Sequence, residues 1–225
     1  MLLLAALDGL AYGSLIFLVA VGLSLIFGVL GIVNVAHGSF YAIGAYVAAA
    51  GVLALGAAGL PTWLAFPVLL LAAALVGILV GGLVEIALLR RVYGKEEVLQ
   101  LIVTFAVFMI LEDAQKVVFG VQPYFANAPM NWLGTVEVFG IFYTTYQLVL
   151  MPLVALAVLL GLRFFLRRTS FGRAIVAVTQ DREAATAMGI DAARVYLITF
   201  IIGASLAALG GALASATTSL TPGIG

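Results

Sequence analysis

The sequence predicts an all-α membrane protein, a polytopic bundle of about six transmembrane helices that forms a single domain over residues 1–225. Composition is the first observation, because 65% of the residues are hydrophobic and only 9% are charged, whereas soluble domains carry about 25% charged residues. The second observation is that residues 9–84 contain no Asp, Glu, Lys or Arg, and one crossing needs about 20 apolar residues. The long apolar runs show little two-residue alternation, which favours helices over a barrel.

The same composition excludes several classes of function. The formal net charge is zero, so the chain lacks the basic surface that binds nucleic acid. There are no cysteines, which excludes disulfides and thiolate metal sites. A single histidine, His37, cannot build a multi-histidine metal centre. We therefore expect a chain without a cofactor of its own, surrounded by a lipid bilayer and without a nucleic-acid partner.

Turn residues divide the first half of the chain into three predicted spans. The first is Leu7–Phe27, and a break rich in glycine over Gly28–Gly38 separates it from the second, which ends near Leu55. A turn at Gly56–Pro61 precedes the third span, Thr62–Leu89. These spans have the length that one crossing requires.

The second half alternates charged or mixed segments with three further predicted spans. In chain order these are the loop Arg90–Glu97, the fourth span Val98–Phe119, the mixed loop Gly120–Tyr146, the fifth span Gln147–Leu162, the polar segment Arg163–Asp191 and the sixth span Ala192–Ala216. The last residues read Thr221-Pro222-Gly223-Ile224-Gly225.

Basic residues predict the orientation of the bundle. Nine of the ten Lys and Arg residues lie in or beside two segments, Arg90–Glu97 and Arg163–Asp191, and cytoplasmic loops are enriched in these residues. Both segments are therefore predicted to be cytoplasmic and the N-terminus to be outside. Lys116 is the exception, and Glu112 and Asp113 lie one helical turn away, a spacing that predicts ion pairing on the helix surface.

Within the second basic segment, residues 170–191 contain the signals of a short helix. Asp181 is a favourable N-cap, and Glu183 lies in the first turn, where the helix dipole favours an anion. Gly189 is a natural helix end, and Asp191 can cap the following span. A helix of two turns is unstable alone. It is either a solvated connector on its own bundle or a docking element for a cytoplasmic partner.

The break between the first two spans concentrates polar groups in an apolar region. Asn34 and His37 supply hydrogen-bonding groups, and glycines at 28, 31 and 38 relax the helical backbone. Non-helical backbone at membrane depth is tolerated where protein buries it or water wets it, and transporters use broken helices to contact solute. The break either belongs to a translocation pathway or is a cytoplasmic turn with His37 capping or packing.

Four motifs resemble known permeases. Glu183-Ala184-Ala185-x-x-x-Gly189 resembles the E-A-A loop of ABC importer permeases. Residues 31–45, which read GIVNVAHGSFYAIGA, resemble the signature of the branched-chain amino-acid permeases. Residues 101–105 (LIVTF) and 172–174 (GRA) follow in the order and at the spacing of that family. The chain is thereby identified as a member of the branched-chain amino-acid permease family.

The resemblance implies the membrane-spanning subunit of an ATP-driven ABC importer in the inner membrane of a prokaryote, with leucine, isoleucine and valine as solutes. It implies three kinds of partner, namely a second permease, two cytoplasmic ATPase subunits and an extracytoplasmic solute-binding protein. It places the coupling loop at about 169–191, carried by Asp181, Glu183, Ala184, Ala185 and Gly189. The candidate pathway residues are Asn34, His37, Gly38, Ser39, Tyr41 and, on resemblance alone, Thr104.

The chain departs from the family in two respects. Family members continue for about two spans beyond the Pro-Gly-x-Gly segment, so the resemblance implies a C-terminally incomplete chain. The loop Arg90–Glu97 is not the commonest family version, which leaves the solute open. Urea, short amides and other amino acids are the alternatives.

Other classes of protein remain as alternatives to an importer subunit. The segment Gly94-Lys95-Glu96 lacks the preceding glycine and the hydroxyl residue of a phosphate-binding loop, so any ATP must be used by partner subunits and the chain is not an enzyme. A channel would need no E-A-A loop. A secondary transporter would need carboxylates inside its spans, whereas the available ones lie near span ends: Asp8, Glu85, Glu112 and Asp113.

Overall fold

The computed structural model describes residues 2–138 and 140–221, with side chains from residue 5 onward. The C-terminal Pro222–Gly225 segment lies outside the described residues. In chain order the helices are α1 (Leu2–Leu30), α2 (His37–Ala57), α3 (Ala65–Leu75), α4 (Gly82–Ala87), α5 (Glu97–Phe119), α6 (Ala128–Leu133), α7 (Met151–Arg168), α8 (Ser170–Gln180), α9 (Arg182–Ala187) and α10 (Ala192–Ala214).

Within the described residues, five helical stretches are long and apolar enough to cross a membrane: Ala5–Leu30, His37–Ala57, Thr62–Arg91, Tyr146–Arg168 and Ala192–Ala214. They coincide with five of the six predicted spans. The fourth predicted span is the 23-residue helix α5, which is not among these five. Its last turns carry the predicted ion pairs, with Lys116 Nζ 2.9 Å from Glu112 and 3.3 Å from Asp113. The all-α polytopic fold is confirmed.

Helix α10 lies at the centre of the bundle, and α1, α2 and the third span pack around it. Small residues make this possible, because Gly, Ala and Ser let membrane helices approach closely. At Gly44 of α2 a Cβ atom would overlap the carbonyl group of Ala208 on α10. Likewise, a Cβ atom at Gly211 of α10 would overlap the carbonyl group of Tyr41 on α2. The abundance of small residues in these spans therefore serves helix packing.

The third span is continuous but irregular. Thr62–Leu64 and Leu89–Arg91 are 3₁₀ turns at its ends, and Val76–Gly81 forms a wider π-helical turn between α3 and α4. The π turn lies against α10. A Cβ atom at Gly77 of this turn would overlap the Ser205 hydroxyl on α10. Such turns accommodate an extra residue inside a helix.

The mixed loop after α5 contains structure that the sequence analysis did not predict. Besides α6, it forms an antiparallel hairpin of β1 (Thr135–Val138) and β2 (Ile141–Thr144), with Thr135 opposite Thr144. The next span then begins with a π turn at Tyr146–Leu150 and continues to the end of α7 at Arg168. It is therefore six residues longer at its C-terminal end than the predicted limit at Leu162.

Apolar side chains form two clusters. The larger is the core of the bundle around α10. The smaller, which we term the α8–α10 cluster, joins α8, α9 and the start of α10 and consists of Ile175, Val178, Ala185, Ala192, Val195 and Tyr196. Leu30, the last residue of α1, and Tyr93, in the loop after the third span, pack against both. These two side chains connect the α8–α10 cluster to the bundle.

Candidate functional site

The short helix predicted around the E-A-A motif is present as α9. The Asp181 carboxylate accepts a hydrogen bond from the Ala184 backbone N–H at 2.9 Å, which caps the helix as predicted. The Asp191 carboxylate likewise accepts from the N–H of Arg194 at 3.0 Å and caps α10. Side chains at both ends of this segment thus fix where the helices begin.

Gly189 ends α9 in the left-handed backbone region, with φ of +87°. Its N–H donates to the carbonyl of Thr186, and the N–H of Ile190 donates to that of Ala185 at 3.0 Å. This is a Schellman-type end, in which glycine satisfies the last carbonyls without a Cβ penalty. The prediction that Gly189 stops the helix is confirmed.

Helix α9 has a buried side and an exposed side. Ala185 is only 4% exposed and packs into the α8–α10 cluster. Glu183, Ala184 and the residues that follow Ala185 up to Gly189 are exposed, and Met188 is 84% exposed. A helix too short to be stable alone is therefore held by Ala185, and it presents an acidic and apolar surface outward.

The turn between α7 and α8 explains the GRA motif. The Thr169 hydroxyl accepts from the N–H of Gly172 at 2.9 Å and caps α8. A Cβ atom at Gly172 would overlap the carbonyl of Phe165 and the backbone of Leu166. Glycine is needed here because the two helices meet at their backbones. Helix α8, which the sequence analysis did not assign, places α9 against the bundle.

The break between α1 and α2 is shorter than predicted. The backbone is non-helical over residues 31–36, whereas Gly28 lies within α1 and Gly38 within α2. Gly31, with φ of +69°, ends α1. Burial alternates along the break, as in an extended segment: Ile32, Asn34 and Ala36 are buried, and Gly31, Val33 and Val35 are exposed.

His37 places the break inside the bundle. Its Nε2 lies 3.1 Å from the carbonyl oxygen of Val19 on α1. About 16 Å of helix separates Val19 from Leu30, at 1.5 Å per residue. Residues 31–36 therefore run back along α1, and α2 begins near the level of the middle of α1. The break lies against α1 and does not extend beyond its end.

Buried polar atoms at the break lack protein partners. The Asn34 side-chain oxygen accepts from the N–H of Ala36 at 3.2 Å. Asn34 Nδ2, His37 Nδ1 and Ser39 Oγ have no hydrogen-bond partner within the described part of the chain. Since Nε2 faces a carbonyl and must donate, the neutral imidazole keeps Nδ1 as an acceptor. Buried polar atoms are normally satisfied, so these three atoms can form hydrogen bonds with water or a polar solute: Asn34 Nδ2 as a donor, His37 Nδ1 as an acceptor and Ser39 Oγ as either.

Two further predicted pathway residues adjoin the break. Thr104 on α5 is fully buried, and its hydroxyl lies 3.1 Å from the carbonyl oxygen of Leu101 and 3.5 Å from that of Val33. The longer contact is a weak hydrogen bond, but it shows that α5 lies against the break. Tyr12 and Tyr41 line two neighbouring spaces. One is a cavity of about 410 Å³ that Asp8 also lines, and the other is a groove of about 440 Å³ that Gly38 also lines.

The sequence is also similar to known proteins along nearly its whole length. The profile of the family described as "Branched-chain amino acid transport system / permease component" matches residues 5–224. The chain belongs to the branched-chain amino acid permease family. This agrees with the resemblance that the sequence motifs carry, and it identifies the chain as a multi-pass membrane permease.

Individual members of this permease family show the same relationship. The chain is 33% identical to the high-affinity permease protein LivH of Escherichia coli K12 in an alignment of 215 positions that covers 92% of this chain and 68% of LivH. It is 30% identical to BraD of Pseudomonas aeruginosa in an alignment of 234 positions that covers 97% of this chain and 72% of BraD. It is 27% identical to LivM of E. coli K12 in an alignment of 215 positions that covers 88% of this chain and 49% of LivM. No solved structure gives a significant match.

One polar cluster of this permease was missed in the sequence analysis. Glu85 is fully buried, and its carboxylate accepts hydrogen bonds from Arg90 and Tyr93. The sequence analysis treated Glu85 as a charge near a span end and Arg90 as a loop cation. Their close spacing at the end of a span was the available signal, since a carboxylate there needs a nearby cation.

Proposed function

We propose that this chain is the membrane-spanning subunit of an ATP-driven importer that carries leucine, isoleucine and valine across the inner membrane of a prokaryote. The observation that carries the proposal is the match of the permease family over residues 5–224. LivH and BraD, which are named as branched-chain amino acid permeases, are similar over nearly all of the chain. The chain acts as a single transmembrane permease domain.

The transporter contains partners besides this chain. The chain is similar to both LivH and LivM, two permease proteins of one organism, which supports pairing with a second, related permease. ATP is bound by two cytoplasmic ATPase subunits, and an extracytoplasmic protein delivers the solute.

Helix α9 receives the motion of an ATPase subunit. Its exposed Glu183 and Met188 form the docking surface, while Asp181, Ala185 and Gly189 hold the helix in place. Ala184 lies beside Glu183 on the exposed side. Closure of the ATPase pair moves α9, and α9 moves α8 and α10, on which it rests. Such coupling requires two states of the permease with different partner contacts.

The break between α1 and α2 lines the pathway of the solute. Asn34, His37 and Ser39 provide buried polar atoms that have no partner in the part of the chain that the structure describes, and a solute or its water shell satisfies them as it passes. Gly38 and Tyr41 border the groove that leads to them, and Thr104 positions α5 beside Val33. The exposed side of residues 31–36 requires a wet or protein-covered surrounding, because lipid cannot satisfy its backbone.

Docking is tested by affinity purification of the tagged chain from native membranes in mild detergent, with partners identified by mass spectrometry. An ATPase subunit and a second permease are expected with the wild-type chain. Glu183→Lys should lose the ATPase and leave the amount of chain in the membrane unchanged. Glu96→Lys is the control, since Glu96 is also exposed but lies outside α9. Normal ATPase recovery with Glu183→Lys would contradict the docking role.

The solute is tested by uptake in the native host. Loss of the chain should abolish ATP-dependent accumulation of labelled leucine, isoleucine and valine and leave urea and short amides unaffected. Loss of urea or amide uptake alone would assign the alternative solute class. Uptake that persists when ATP is depleted would instead indicate a channel or a secondary transporter.

A further inference from the structure

A continuous row of side chains leads from α9 into the bundle. The guanidinium carbon of Arg182, the first residue of α9, lies 5.4 Å from the centre of the Tyr196 ring on α10. The Tyr196 ring meets the Tyr93 ring edge to face, with centroids 5.2 Å apart and planes at 78°. The Tyr93 hydroxyl donates to Glu85 Oε1 at 3.2 Å. Each contact joins a different pair of elements.

The far end of this row is fixed. Glu85 belongs to α4 at the end of the third span and is fully buried. Arg90 donates to both oxygens of its carboxylate, from Nη2 at 3.2 Å and from Nε at 3.5 Å. Burial, and then the nearby Glu85 carboxylate, raise the pKa of Tyr93, which lies in the loop beyond the span. Its hydroxyl therefore stays protonated and remains a donor.

Tyr93 lies between the two apolar clusters. It packs against the α8–α10 cluster that holds α9 and against the core around α10. Leu30, which shares this position, is purely apolar and can slide past its neighbours. The contacts of Tyr93 are directional, because edge-to-face rings, cation–π pairs and hydrogen bonds each favour one geometry. A displacement of α9 therefore reaches the third span through Tyr196 and Tyr93.

We propose that Arg182, Tyr196, Tyr93 and Glu85 form a relay that ties the position of α9 to the third span, and that they are positioning residues for transport. This inference rests on the proposed role of α9 as the element that an ATPase subunit moves. The relay transmits that movement, whereas Glu183 and Met188 only receive it. Loss of the relay should therefore uncouple ATP hydrolysis from solute movement without releasing the ATPase.

The test uses the complete transporter in proteoliposomes and measures the amount of branched-chain amino acid transported per ATP hydrolysed. Tyr196→Leu removes the ring that contacts both Arg182 and Tyr93, and we expect the ratio to fall by about fivefold or more. Tyr196→Phe keeps the ring and both contacts, so the ratio should remain near that of the wild type. A merely structural role would lower the yield of folded protein and leave the ratio unchanged.

Tyr93→Phe separates the relay from general packing, because it keeps the ring packed on Tyr196 and removes only the hydrogen bond to Glu85. A reduction of about twofold or more in the amount transported per ATP would support the relay. This result counts even if the Tyr196→Leu transporter fails to assemble. A wild-type ratio in Tyr93→Phe, or in an assembled Tyr196→Leu transporter, would overturn it. If the relay is overturned in this way but Glu183→Lys still loses the ATPase, the docking role of α9 remains supported. Normal ATPase recovery in Glu183→Lys would instead remove the basis of both proposals.

Discussion

The imidazole Nε2 of His37 is hydrogen-bonded, at 3.1 Å, to the carbonyl oxygen of Val19, a residue in the middle of α1. This contact ties the first residue of α2 to a helix that ends at Leu30. The chain must therefore turn back into the bundle over residues 31–36. As a result, non-helical backbone lies beside α1, together with three buried polar atoms that have no hydrogen-bond partner among the described residues.

The side of this break that faces away from the bundle should be wet. Since the chain has no cysteine, single cysteines report accessibility without background. Val33→Cys and Val35→Cys, at positions 52% and 39% exposed, should react with a water-soluble maleimide, because thiolates form in water. Ile32→Cys, at a buried position, should not react. Leu160→Cys on α7 is the lipid-facing control, and equal unreactivity of Val33→Cys would contradict a wet pathway.

The close contact of α2 with α10 depends on Gly44. In Gly44→Val the new side chain would overlap the carbonyl of Ala208, and overpacking of this kind costs about 1–3 kcal/mol. We expect a lower melting temperature and less folded protein in detergent. Gly28→Val is the matched control, since Gly28 is helical and a Cβ atom there would have no neighbouring atom within 4 Å. Equal loss in both variants would argue against a specific contact.

The end of α9 should tolerate asparagine better than alanine at Gly189. The backbone there has a φ of +87°, which asparagine adopts more easily than alanine. Gly189→Ala should destabilise the segment by about 1–2 kcal/mol, seen as faster proteolysis around α9. Gly189→Asn should lie between Gly189→Ala and wild type. Gly56→Ala, at a helical position with open space, should have no such effect, and equal proteolysis of all variants would contradict the helix-end role.

Tyr146 stabilises the end of α10. Its buried hydroxyl donates to the carbonyl of Leu213 at 2.9 Å, one of the last carbonyls of the helix, which have no partner within the helix. Tyr146→Phe should lower the free energy of unfolding by about 1–2 kcal/mol, measured by thermal unfolding in detergent. Tyr12→Phe is the control, because Tyr12 is 68% exposed. A Tyr146→Phe variant as stable as the control would show that water replaces the bond.

Much of this permease follows from local sequence signals. Asp181, Gly189 and Asp191 fix the ends of their helices through contacts with residues no more than three or four positions away. Caps of this kind depend on the local backbone alone, which is why the short helix was predicted correctly. The long apolar runs likewise predict spans, since only their length and composition matter in a bilayer.

Two other elements were not predicted. The hairpin of β1 and β2 has strands of four residues, which are too short for a clear alternating pattern. The π turn at Val76–Gly81 lies against Ser205 of α10. Ser205 is distant in sequence, so this contact is not visible from the local residues.

Composition, motifs and capping signals are local properties, and they were enough to predict a polytopic helical permease, its family and the capped helix α9. They could not predict that the break turns back along α1 to Val19, or that Glu85 is linked through Tyr93 and Tyr196 to Arg182. Those contacts join residues from different helices, and the packing of the helices around α10 alone sets which of them meet.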